Sequence, residues 1–86
     1  MKRLNKDDAI YIISQMFALI GEPFDRSKLE YDDEWYLNYS WTEEQQEEFK
    51  EWLISHLRAN FKHTKALAIS NAGWFIFMYG FTIRKD

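Results

Sequence analysis

The stretch 31-YDDEWYLNYSWTEEQQEEF-49 decides how the chain is divided. Its second half opens a helix. Thr42 followed by Gln45 is a capping box, in which the hydroxyl accepts from the third helical amide and Gln45 reaches back to the cap. Ser40 with Glu43 offers a second register two residues earlier. Trp41 sits near the residue before the cap, where a hydrophobic staple to the first turn is common. Downstream, Phe49, Trp52, Leu53, Leu57 and Phe61 recur at i, i+3, i+4, i+8 and i+12, one apolar stripe on a helix over about 43–60. The first half reads differently. Trp35, Leu37, Tyr39 and Trp41 alternate with Tyr36, Asn38 and Ser40, the period of a half-buried strand. A hairpin with 29–31 across Asp32-Asp33 is one arrangement, irregular extended chain the other. A lone hairpin is marginal in water, so either form needs helices to lie on.

Working outward, the upstream segment is a central core helix over about 5–20. Asn5 caps it, Asp7 and Asp8 suit the positive end of its dipole, and Gly21 stops it in a left-handed turn. Its polar positions Asp7, Asp8, Ser14 and Gln15 occupy about a third of the circumference, and the rest is apolar. Pro23 and few apolar positions make 21–33 an exposed connection. Downstream, 64-TKALAISNAGWFIFMYGF-81 is too long for a strand and reads as a third helix over about 64–79, ending at Gly80. Its last two turns are apolar on all sides, so it is either surrounded or keeps a face for a partner. The expected core is Ile10, Ile13, Phe17, Ile20, Trp35, Leu37, Phe49, Trp52, Leu53, Leu57, Leu67, Phe75 and Tyr79. The fold class is mainly α: a single domain over 1–86 with three helices and an extended or β-hairpin segment at about 29–41.

Composition narrows the function classes. Eighty-six residues suit one core, and a 19% aromatic content supplies area to bury. Without cysteine there are no disulfides, thiolate metal sites or thiol nucleophiles. No apolar run approaches the ~18–20 residues of a membrane span, and 1–15 lacks the pattern of a secretory signal. A cytoplasmic protein is the expectation. The net charge of −3 conceals a gradient: +1 over 1–21, −8 over 22–51 and +4 over 52–86. So acidic a middle repels nucleic acid, whereas the last third tolerates it.

Few residues carry a chemical signature. Glu43, Glu44, Glu47, Glu48 and Glu51 put carboxylate pairs at i, i+4, but no complementary ligand motif lies on another helix, and a solvated acidic face accounts for them. His56 and His63, seven apart, share one helix face if the helix runs that far; His56 borders the apolar stripe beside Trp52 and Leu57. Zinc would require closer spacing or further ligands. Ser14, Ser27, Ser40, Ser55 and Ser70 sit in no nucleophile elbow, and no glycine-rich phosphate loop is present. The expectation is no enzyme, cofactor or metal. Arg58, Lys62 and Lys65 form a basic stripe, with Arg84 and Lys85 as further members of a nucleic-acid contact, although a dipole-compensating last turn is the favoured account of the first three. Exposed rings among carboxylates make protein-binding anchors, and spaced carboxylates also mimic phosphates. The candidate partner surface is therefore Asp32, Asp33, Glu34 and Tyr36 with Glu44, Glu47 and Glu48. Trp74, Phe77, Met78 and Phe81 are the candidates for self-association into a homodimer.

The pattern YLNYSWTEEQQEEFKEWL, followed by GWFIFMYGF, resembles small uncharacterised proteins of tailed bacteriophages and prophages over residues 35–81. That resemblance implies an intracellular accessory role, acting in the host cytoplasm, and assigns no functional residue. The reading is a non-catalytic protein-interaction module, phage-encoded, modulating a host protein through an acidic and aromatic surface. The alternative is a small nucleic-acid-binding accessory protein using the basic stripe.

Overall fold

In the computed structural model, residues 3–85 are described; Lys2 and Asp86, which enter the charge gradient, lie outside them. The order is α1 (Lys6–Ile20), α2 (Arg26–Tyr31), a 3-10 turn (Trp35–Asn38), β1 (Ser40–Trp41), α3 (Glu43–Phe61), α4 (Lys65–Tyr79) and β2 (Thr82–Ile83). Three main helices thus make a mainly α domain with one short helix and a two-stranded parallel sheet.

The caps form where the side chains predict them. Asn5 and Asp8 close a reciprocal box on α1, and Thr42 and Gln45 do so on α3. Gly21 ends α1 in the left-handed region at φ 75°. Lys62 takes the same conformation, φ 56°, after α3, and Thr64 then caps α4. This reversal folds α3 and α4 into the most extensively packed helix pair. It also takes His63 off the α3 helix, so the two histidines do not share the expected helical face.

Two readings of 21–41 change. The connection contains α2, begun by Asp25, whose carboxylate accepts the Ser27 N–H at 3.0 Å and hydroxyl at 2.6 Å. The hydroxyl bond holds the Asp25 carboxyl below its ordinary value. Arg26 ties this helix to α1 through Asp7 at 2.9 Å and reaches Glu30 at 3.3 Å. Residues 29–31 are therefore helical and cannot form a hairpin arm. Residues 35–38 wind into the 3-10 turn, which breaks the alternation. Trp35 and Trp41 are buried and Tyr39 half-buried, but Leu37 is turned out to solvent.

The strand partner comes from the far end of the chain. Ser40 pairs with Thr82 and Trp41 with Ile83, in parallel, and the Arg84 N–H donates to the Trp41 carbonyl at 2.7 Å. Parallel neighbours need a long crossover, which the α3–α4 hairpin supplies. At the junction, Phe81 is driven inward, edge-on to Phe17 at 5.1 Å and Trp41 at 5.0 Å. Phe17 also stacks on Trp35 at 4.8 Å, so one aromatic cluster locks α1, the 3-10 turn and β2 together.

Candidate functional site

Helix α4 positions the feature that most needs explaining. Ala68, Ala72 and Phe75 face the core. At ~100° per residue, Phe77 falls on the opposite side, with Trp74 and then Met78 to one side of it and Gly73 and Ile69 to the other. Phe77 is 84% exposed, Trp74 58%, Met78 43%, and Ile69 further along the helix 42%. The only charged residue in α4 is Lys65, in its first turn. Leu37, 52% exposed, projects from the 3-10 turn, and the neighbouring Tyr36 hydroxyl donates to the Met78 carbonyl at 3.1 Å. Ile69, Gly73, Phe77 and Trp74 form an uncharged, apolar stretch of helix surface, of the size at which a patch is often functional.

The row Ile69, Gly73 and Phe77 runs at i, i+4 along one ridge. A side-chain carbon placed on Gly73 would meet nothing within 4 Å. Glycine inside a helix costs about 0.5–1 kcal/mol relative to alanine. Nothing in the fold uses that cost: the residue is a notch between two apolar knobs. Gly80 differs. A Cβ there would run into the Ile76 carbonyl oxygen, so the helix end requires glycine.

The other predicted site residues disperse. Asp32, Asp33 and Glu34 are exposed beside the 3-10 turn, and Asp32 accepts the Glu34 N–H at 3.0 Å, a turn-forming role. Tyr36 is half-buried and bound to α4, so it is not the outward ring expected; burial foremost, with Glu34, pushes its phenol above the ordinary value. Glu44, Glu47 and Glu48 do line one open face of α3 with Glu43 and Glu51. Among the described residues no three His, Asp or Glu side chains converge as a metal ion requires. Phe81 leaves the self-association set, since it is buried in the aromatic cluster.

The basic set also divides. Arg58, Lys62 and Lys65 are exposed around the α3–α4 turn. Arg84 and Lys85 follow β2, which pairs beside the start of α3, and share a concavity with Thr42, Glu43 and Glu44. From there to Arg58 the helix rises by about 22 Å, at 1.5 Å per residue. The five cations do not make one surface.

His56 lies in the α1–α3 seam, stacked on Trp52 at 4.8 Å and 5.5 Å from the Tyr11 ring. Burial there pushes its pKa below the ordinary imidazole value, with Asp8 opposing weakly. His63 is buried on the other side of α3, with Nδ1 3.4 Å from the Asn71 amide nitrogen. The pair forms the polar floor of a largely apolar groove of about 420 Å³ under Trp74. Its lining includes Arg3 but no carboxylate or hydroxyl side chain.

Sequence reasoning selected Trp74, Phe77 and Met78 but missed the notch and Ile69. The signal for both was available: a glycine within an uninterrupted helix, four residues from an apolar neighbour on either side. Comparison with protein-family models, with curated proteins and with solved structures brings no match to this chain.

Proposed function

We propose that the chain is a non-catalytic protein-interaction module whose docking surface is the outer face of α4. One observation carries this: Phe77, a large ring almost fully in water, stands with Trp74 and Met78 on a helix whose only charge is Lys65. Interface anchors are drawn from large rings and methionine, with charge depleted at the centre. Catalysis is a poorer account, because the groove is lined mainly by Leu4, Leu53, Leu57, Leu67, Trp74 and Phe75, an apolar wall better suited to packing than to proton transfer. The acidic face of α3 keeps a subsidiary role in this reading, steering encounter and excluding acidic partners. The wider context, a phage-encoded accessory protein acting on a host protein, rests on the resemblance over residues 35–81.

The test is site-specific photocrosslinking in the cells that express the protein. A benzophenone side chain at position 77 should give adducts, whereas one at position 47 on the acidic helix face should give far fewer. Adducts confined to position 47 would overturn the reading.

A further inference from the structure

Resting on the α4 docking surface, we propose that its occupant is a second copy of this chain. The two copies meet about a two-fold axis, with Phe77 of each seated in the Gly73 notch of the other. The face carries both halves of such a contact. Phe77 is the knob, and Gly73, one helical turn earlier, is a hole bounded by Ile69 and Trp74. In an isologous interface a residue that fills a site on its neighbour must find its own site filled in return. Phe77 and Gly73 satisfy this about a centre near position 75. Helices whose i, i+4 ridges interdigitate cross at about −50°, and a glycine at the crossing allows close approach.

Charge favours the same occupant. Two chains of net charge −3 repel unless the contact avoids their acids. The carboxylates of α3 lie on its own open face, and the outer face of α4 has none. The area suits a weak, reversible dimer. Ile69, Trp74, Phe77 and Met78 leave roughly 450 Å² in water, taking ~200 Å² for a fully exposed large side chain. Doubled, this is about 900 Å² before any rim is counted, in the range of weak and transient contacts. A dimer this small belongs in the ~10–500 μM range, below the affinity of obligate assemblies.

Sedimentation equilibrium across that range tests the proposal. The wild-type chain should show a monomer–dimer equilibrium. Gly73→Leu fills the notch from a Cβ position that meets nothing within 4 Å, so it should weaken association by ~10-fold or more while the helix content is kept. Phe77→Ser removes the knob and should weaken it similarly. A wild-type chain that stays monomeric to ~1 mM, or a Gly73→Leu chain that associates as the wild type does, overturns the dimer. The docking-surface reading fails separately, through the crosslinks: adducts at position 77 to a different protein would retain it and discard the second copy.

Discussion

Replacing Gly80 with alanine places one methyl group where the helix end has no room for it. The backbone is ordinary, φ −65° and ψ 151°, so the cost is not one of conformational preference. It is contact: the new carbon would run into the Ile76 carbonyl oxygen and stand 3.0 Å from the Ile76 Cγ2. That same oxygen accepts the Gly80 N–H at 2.7 Å, so relief of the clash stretches the bond closing α4. A lost hydrogen bond of this kind is worth about 1 kcal/mol. The displacement passes directly to Phe81, buried between Phe17 and Trp41, and repacking strain in a core adds about 1–2 kcal/mol. The sum, about 2–3 kcal/mol, lowers Tm by roughly 10–20 °C in a domain of this size. Gly73→Ala is the matched control. It has open space, and removing the helical glycine should raise stability by about 0.5–1 kcal/mol, a few degrees. Thermal unfolding followed by circular dichroism at about 1 μM or below, where self-association is minor, reads both. A Gly80→Ala chain as stable as the wild type would refute the placement of α4 against β2, and a Gly73→Ala chain less stable than the wild type would refute the open notch.

Two further outcomes follow from the side-chain environments. The folded state holds His56 with a pKa below its unfolded value near 6.5, so the unfolded chain takes up the proton first. Stability should therefore be constant with respect to this group above about pH 6.5 and decline as pH falls from there toward the lowered folded value; urea midpoints for His56→Gln should show a flatter decline over that window. Tyr36→Phe deletes the hydroxyl that donates to the Met78 carbonyl and should cost about 0.5–1.5 kcal/mol by urea unfolding; no change would show that the 3-10 turn is not fastened to α4 through this bond.

The parts legible in the sequence were those set by local chemistry. Asn5, Thr42 and Gly21 act within a few residues of themselves, so the helix boundaries they mark could be read directly. The Asp25 cap of α2 was equally local, but Pro23 and the lack of apolar periodicity drew attention from it. The fate of 35–41 was not local. Alternation suggested a strand, whereas burial of Trp35 against Phe17 winds the chain into a 3-10 turn and leaves Leu37 outside. Its two paired residues meet a strand some forty positions away, and no short-range pattern announces a parallel partner reached through two helices. The same pairing draws Phe81 into the core and carries Arg84 and Lys85 away from Arg58. The candidate site was half visible for the same reason: a helix apolar on every side tells that one face is spare, but which residues occupy that face depends on how α4 leans on α3.

The most direct measurement of the central claim is fluorine NMR of 4-fluorophenylalanine placed at position 77 and, separately, at position 81. The account predicts that the position 77 signal resembles the free amino acid at low concentration and shifts or broadens as concentration rises, while the position 81 signal stays dispersed and constant. An unresponsive signal at 77 together with a concentration-dependent one at 81 would contradict it.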